Sequence, residues 1–498
     1  MRSYVYTLLM IGCLTAAQAQ PADRSLDLAG TIRLAAEQSP SVKSARNAYL
    51  AAYWNYRYYR ANYLPSVTLS TSPSFNHQIN PITQSDGTSA FLQQNQLNTS
   101  LGLRISQNIP LTGGNLWLNS SINRLDELAN KVTSYSSQPL SIGYSQDLFG
   151  YNSLKWDRRI EPLRFREAKK NYAEALELVA ANACGYFFQL ASAQNELEMA
   201  QQNFASADTL YQMAKGRYEI GLITENEMLQ LEINRLNEET NVMDAQIHVQ
   251  EQQQGFRSFL GLAQDETVTL TLPDSVPDIQ IPLDQALSQA QENSPEPDYY
   301  ELQRRQMQSN LANARANAGL RASIYMQLGL SQTGSTVGES YRNPLNQQYA
   351  SVSLSLPILD WGRGKGRIRV AQSQLELTET QTELGMQNFR QNVQKLVMQF
   401  NMQGRKVTIA RLTHQRAVQR HSVATRLYVM GRSSILDLNA AIAEKNSAQR
   451  SYIAAHRTFW TLYYTLRSMG VALGAPQDNP ISPISLISPI SPINPILN

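Results

Sequence analysis

The chain has 498 residues, a formal charge of +3 and only 17% charged side chains. That near-neutral balance argues against a protein built to bind nucleic acid, and the length fits two or three ordinary domains or one large elongated one. Beyond the N-terminus no uncharged apolar run approaches the roughly 18–20 residues of a spanning helix, so a mature chain that crosses a membrane must do so as a closed β-barrel.

The N-terminus reads as an export signal. Arg2 supplies the basic region, residues 4–11 the apolar stretch, and Ala17-Gln18-Ala19 a small-x-small cleavage site, giving a signal peptide over 1–19. A second reading takes Met10-Ile11-Gly12-Cys13 as a lipobox, with Cys13 as a lipidated N-terminus. Both readings export the protein. Cleavage after Ala19 leaves Cys184 alone, which excludes an intrachain disulfide; it falls on an apolar helix seam and reads as a buried, inert thiol.

The rest of the chain is duplicated. Residues 28–40 (LAGTIRLAAEQSP) resemble 283–295 (LDQALSQAQENSP), and Arg60-Ala61-Asn62 recurs as Arg315-Ala316-Asn317, an offset of about 255. Tyr218-Glu219-Ile220-Gly221 matches Tyr428-Val429-Met430-Gly431 at an offset of about 210. The first half therefore carries an insertion of about 45 residues between Asn62 and the long helix that follows. A period this long implies two copies of one large unit rather than a short-repeat solenoid. The first repeat is placed at 20–262, a linker at 263–282 and the second repeat at 283–474.

In chain order, a helix over about 41–62 leads to strands over about 66–76 and 97–109. Val67, Leu69 and Phe75 alternate with Ser66, Thr68 and Ser70, and Leu101, Leu103 and Ile105 alternate with Ser100, Gly102 and Arg104. Two further strands, within about 114–123 and 138–148, are assigned to the insertion as a hairpin. The second repeat has strands over about 321–333 and 348–358, where Ile324, Met326, Val352 and Leu354 alternate with Ser and Gln. Runs of about 9–12 residues with one apolar and one polar face suit tilted transmembrane strands. A soluble sandwich alternates in the same way; the scarcity of charge on either face, together with the export signal, favours the barrel.

The helices carry a second periodicity. From Tyr172 a seam steps 4,3,4,3 through Leu176, Val179, Ala183, Tyr186, Leu190 and on to Ala214. Its copy runs from Phe389 through Val393, Leu396, Phe400, Gln403 and Val407 to Ala424. A sustained 3.5-residue period specifies coiled-coil packing against partner helices. A helix over 153–214 would span about 90 Å. A return helix over about 224–260 and the N-terminal helix together match that length, so each repeat makes a pillar of paired antiparallel helices.

Four core strands, or six with the insertion, are fewer than the roughly eight of the smallest single-chain barrels. Several chains must share one barrel, since open edges in lipid leave backbone groups unpaired. Closed cyclic symmetry with three copies gives twelve strands, or eighteen if the inserted hairpin joins the barrel instead of folding outside it.

These features together resemble the TolC-like outer membrane efflux protein family, over nearly all of residues 26–475. The specific parts are the tandem repeat, the Ser-Pro breaks at Ser39-Pro40 and Ser294-Pro295, and the junction Leu356-Pro357-Ile358-Leu359-Asp360-Trp361-Gly362. A turn pattern also occurs twice, as Tyr218, Gly221, Glu227 and as Tyr428, Gly431, Asp437. The resemblance implies an α+β fold: a trimer with a transmembrane β-barrel in the outer membrane and an α-barrel tunnel of coiled-coil helices in the periplasm. It implies a passive efflux or secretion channel with no cofactor, docked to a periplasmic adaptor and an inner-membrane pump of RND or ABC type. It places both turns at the periplasmic tip and makes Asp437 a candidate for the entrance constriction. Helix capping is the alternative role for Glu227 and Asp437. Family members often carry a second acid three positions later; here that position is Ala440. A secreted structural or adaptor coiled coil with a soluble β-domain is the competing function.

Other signals are set aside. Gly362-Arg363-Gly364-Lys365-Gly366 lacks the spacing of a phosphate-binding loop, and its basic residues, with Lys155, Arg158 and Arg159, suit the headgroups of outer-membrane lipid. His414 and His421, seven apart on one helix, cannot chelate one metal ion. No catalytic set stands out. The tail over 475–498, with repeated Ile-Ser-Pro, is expected to be a flexible extension.

Overall fold

The computed structural model describes residues 24–473, apart from 86, 264, 265 and 274. The signal peptide expected over 1–19, the alternative lipidation at Cys13 and the tail expected over 475–498 lie outside the described residues. In chain order the elements are β1 (Arg24–Leu26), α1 (Leu28–Gln38), α2 (Pro40–Ala61), β2 (Ser66–Thr83), β3 (Ser89–Ile109), β4 (Gly114–Glu127) and β5 (Val132–Asp147). The long helix α3 (Ser153–Glu219) and its return α4 (Glu225–Leu260) follow, then β6 (Val268–Leu270), α5 (Leu283–Asn293) and α6 (Glu296–Ala318). The chain continues with β7 (Arg321–Gly334), α7 (Val337–Ser340), β8 (Leu345–Ser355), α8 (Arg363–Val429) and α9 (Ile435–Ser468). Two compact units result, and each takes segments from both repeats. A helical unit comprises 24–46, 173–293 and 392–473; a sheet unit comprises 47–172 and 294–391.

The sheet unit is a six-stranded antiparallel meander ordered β2-β3-β4-β5-β7-β8. Its first hairpin is longer than the alternation predicts, running in register from Ser66 opposite Ser106 to Thr83 opposite Ser89. Past Phe75 the apolar signal fades, and side-chain amides take over: Gln78 Nε2 donates to Gln94 Oε1 at 3.1 Å and Asn80 Nδ2 to the same oxygen at 2.6 Å. Pro73 and Pro81 are tolerated because β2 is an edge strand. β8 ends at Ser355, short of the expected 358, where Pro357 removes a ladder donor.

The fold also corrects the assignment of the insertion. The 255 offset aligns the start of β2 with that of β7, and the 210 offset aligns the start of α3 with that of α8. β5, which leads into α3, is then the counterpart of β8. The inserted pair is therefore β3–β4, not the strands within 114–123 and 138–148, and it lies inside the sheet.

In the helical unit the seam of α3 is buried: Ala183, Leu190 and Ala193 are fully enclosed, as are Phe187, Phe256 and Leu260. Cys184 is buried with them, and burial pushes its thiol far above the ordinary cysteine range. On α8, Val393, Phe400, Gln403 and Val407 are buried, with Phe400 5.1 Å from Phe459 and Gln403 Nε2 donating to the Ala455 carbonyl at 3.0 Å. One ion pair is buried as well: the Arg467 guanidinium donates to Glu177 Oε1 from Nη2 at 2.7 Å and from Nε at 3.1 Å.

The segment expected as a linker, 263–282, carries structure of its own. β6 pairs in parallel with β1, and Gln194 of α3 clamps it by donating to the Val268 carbonyl at 2.6 Å and accepting from the Leu270 amide at 3.2 Å. A three-residue strand is too short to show a period in sequence. Among the described residues no helix is long and apolar enough to cross a membrane.

Candidate functional site

The duplicated turns are built from the same parts. After α3, Gly221 adopts φ +75° and donates to the Tyr218 carbonyl at 2.9 Å, while Leu222 N donates to Arg217 O at 2.8 Å. After α8, Gly431 adopts φ +71° with the equivalent bonds to Tyr428 and Leu427, both at 2.9 Å. A left-handed glycine followed by a bond reaching back five residues is how a long helix satisfies its last carbonyls.

Each return helix then opens with a reciprocal cap. Thr224 Oγ1 accepts from Glu227 N at 3.3 Å while the Glu227 carboxylate accepts from Thr224 N at 3.2 Å. Ser434 and Asp437 do the same, and Asp437 Oδ2 also accepts from the Ser434 hydroxyl at 2.7 Å and from Ser433 at 3.3 Å. The hydrogen bonds from Ser434, side chain first and then backbone, hold the exposed Asp437 carboxyl below its ordinary range. Thus both predicted acids cap helices in the structure.

The two turns pack on each other. Leu210, Ala214, Leu231 and Leu438 form a buried cluster joined by Ile223, Ile435 and Tyr428, and Arg217 Nη2 donates to the Val429 carbonyl at 3.3 Å. Tyr428 is half-buried in that cluster whereas Tyr218 is exposed. Sequence reasoning missed the apolar residues that project from the turns: Ile220, Leu222, Met430 and Leu436 are all exposed. Their signal was there to find, since large aliphatic side chains beside a turn glycine contradict the polar chemistry of ordinary loops.

The sheet forms a second surface of interest. One face carries a register-matched apolar row, Val67–Ile105–Leu118–Ile142–Leu328, every member at least partly exposed. Val67, Leu69 and Leu354 stand 65–71% exposed. The other face is polar: Ser66, Ser106, Gly143 and Gln327 share a row with the buried Trp117. Trp117 lies over Gly143, where a Cβ would strike its ring, and Arg104 sits 5.0 Å above the indole. Near the strand ends adjoining α2 and α8, Leu64, Leu111, Phe149, Ile358 and Trp361 are exposed, with Arg57 over Trp54 at 5.3 Å and Arg159 over Trp156 at 5.4 Å. The Gly362–Gly366 stretch is a helix start whose Gly362 and Gly364 amides donate to the Asp360 carboxylate at 2.9 and 2.7 Å, an internal anion in the place a phosphate would need.

His414 and His421 are half-buried on α8, held below the ordinary imidazole range by desolvation and then by Lys445. Among the described residues no group of His, Cys, Asp or Glu is arranged to hold a metal ion.

The sequence matches the outer membrane efflux protein family over residues 115–262 and 286–469. No curated protein matches the chain significantly. Among solved structures, a membrane protein from Pseudomonas aeruginosa is similar at TM-score 0.65 and 16% identity, with 91% of this chain and 92% of that one covered. The CmeC outer membrane channel of Campylobacter jejuni gives TM-score 0.64 and 14% identity, over 90% and 87%. The outer membrane protein VceC of Vibrio cholerae gives 0.63 and 13%, over 89% and 96%.

Proposed function

The chain belongs to the outer membrane efflux protein family, and from that premise we propose how it conducts. It is a passive channel of the outer membrane with a tunnel reaching into the periplasm, not an enzyme. Three copies close one barrel by pairing β8 of each with β2 of the next, which keeps the pairing antiparallel and, with six strands per copy, gives eighteen. The observation that carries this reading is the sheet's two-faced surface. An exposed apolar row across five adjacent strands suits lipid, and the Ser, Asn, Gln and Gly face suits a water-filled lumen. The exposed Trp, Phe and Arg side chains at the strand ends meet the headgroups of the inner leaflet of the outer membrane.

The packed turns form the periplasmic tip. There Tyr218, Gly221 and Glu227, with Tyr428, Gly431 and Asp437, shape the surface that receives a periplasmic adaptor coupled to an inner-membrane pump of RND or ABC type. Ile220, Leu222, Met430 and Leu436 supply its apolar contact area. Asp437 narrows the entrance while it caps α9. Single-channel recording in planar bilayers tests the reading. The wild type should form pores of long lifetime, and Asp437→Ala should raise basal conductance; an unchanged conductance removes the constriction role, and recovery of the wild type as a soluble monomer overturns the channel.

A further inference from the structure

The polar face of the sheet has one interruption. Strand register sets Arg104, Trp117, Tyr325 and Tyr349 in three neighbouring rows of that face, and every other residue of those rows is Ser, Thr, Asn, Gln or Gly. The four come from β3, β4, β7 and β8, so the chain must fold before they meet.

They touch in sequence. The Arg104 guanidinium lies 5.0 Å from the centre of the Trp117 ring, and Trp117 lies 5.2 Å from Tyr325, tilted against it. Tyr325 and Tyr349 then meet edge to face at 5.7 Å. β5 contributes by what it lacks: at Gly143 a Cβ would collide with the indole, so the glycine lets Trp117 lie across that strand. The Tyr325 hydroxyl donates to Gln327 Oε1 at 2.9 Å, which fixes the middle ring.

Packing accounts for the centre of this cluster, since Trp117 is buried. It does not account for the two ends. Tyr349 is 56% exposed, on a strand face otherwise made of Ser and Gln. Arg104 is exposed too, with no carboxylate in its own row or in the rows on either side. A guanidinium stacked on an aromatic ring is held by its plane, which leaves its N–H edge to donate to a planar or tetrahedral anion. An exposed ring beside it offers a stacking surface. The charge and the rings are therefore complementary to one kind of small molecule.

We propose that the cluster is a cargo-binding subsite, selective for small amphipathic anions that carry an aromatic ring. The ring of the cargo stacks on Tyr325 and Tyr349, and its anionic group takes charge-assisted hydrogen bonds from Arg104. Steps of 5.0 and 5.2 Å separate the guanidinium from the Tyr325 ring, a reach that a fused two-ring anion spans. Aliphatic anions lack the stacking, and aromatic cations meet repulsion. The inference rests on the polar face being the lumen and adds a chemical class of cargo to that reading. Weak retention suits a duct, because cargo must be held well enough to enter and loosely enough to leave.

The test uses full-length protein purified in detergent, titrated by calorimetry against blanks of empty micelles. Naphthalene-2-sulfonate should bind, and ethanesulfonate and 2-naphthylmethylammonium should bind roughly tenfold or more weakly. Arg104→Gln should abolish the preference for the aromatic anion over the aromatic cation, and Arg104→Lys should restore part of it. Tyr349→Ala, at an exposed position remote from the buried indole, should weaken both aromatic probes and keep the preference for the anion. Equal binding of the three probes by the wild type overturns the subsite, as do Arg104→Gln and Tyr349→Ala variants that bind as the wild type does. Pore formation in planar bilayers separates the two levels. A wild type that forms pores and binds no probe overturns the subsite alone, whereas one that forms no pores removes the channel reading and the luminal placement with it.

Discussion

The helical unit and the sheet unit put the same kinds of side chain to opposite use. Around Ala183, Phe187 and Leu190 the apolar groups are sealed from solvent, and a buried charge pair, Glu177 with Arg467, is hydrogen-bonded by two guanidinium nitrogens. On the sheet, Leu69 and Leu354 are about two-thirds exposed or more, and few charges lie anywhere near them. An isolated water-soluble domain with such a surface would aggregate, since large contiguous apolar patches mark interaction sites. The difference teaches that apolar content alone does not locate a core. What matters is whether the neighbouring medium is protein or hydrocarbon.

Four substitutions break or sharpen that contrast. The largest effect is expected at the buried pair. Glu177→Ala takes the carboxylate from an enclosed guanidinium and should lower stability by about 3–5 kcal/mol, read from denaturant midpoints of the purified protein; a loss well under 1 kcal/mol would mean the pair is not sealed from water. Next comes the lipid face. Leu328→Arg, mid-strand on the apolar row of β7, should cost about 2–4 kcal/mol, measured by refolding into vesicles. The reciprocal substitution of a polar-face residue, Gln327→Arg, should cost far less, and equal costs would contradict the assignment of faces. The smallest effect belongs to the tip. Ser434→Ala removes a cap worth about 1 kcal/mol and should speed amide exchange in the first turn of α9 while leaving the sheet unchanged.

The same cap gives a pH dependence of known sign. Asp437 titrates below its ordinary value because Ser434 bonds favour the carboxylate, so the stabilisation is present above the unfolded carboxylate pKa and is lost as pH falls through the lower folded one. Protection factors at Ser434 to Leu438, taken against the pH-dependent intrinsic exchange rates, should therefore fall only in acid, and Ser434→Ala should flatten that fall.

How much of this was legible in advance varies with the kind of signal. The buried seam of α3 and the alternation of β7 and β8 were readable because burial on one side imposes a period. The outer part of the β2–β3 hairpin was not, because its pairing is sustained by backbone bonds and amides such as Gln94, with no apolar alternation. The place of the insertion follows only when the two offsets are applied to the starts of β2, β7, α3 and α8, because the strands of this sheet alternate alike. At the tip, Thr224-x-x-Glu227 and Ser434-x-x-Asp437 fit the capping-box spacing, so their local role was available from sequence.

The unequal edges of the sheet have one more consequence. β8 has eleven residues and β2 eighteen, so a neighbouring β8 can cover at most eleven of them, and the far end of the β2–β3 hairpin stands beyond any such seam as a two-stranded ribbon. A bare ribbon edge invites foreign strands to add to it. Pro81, which cannot donate, blunts that edge against unwanted strand addition.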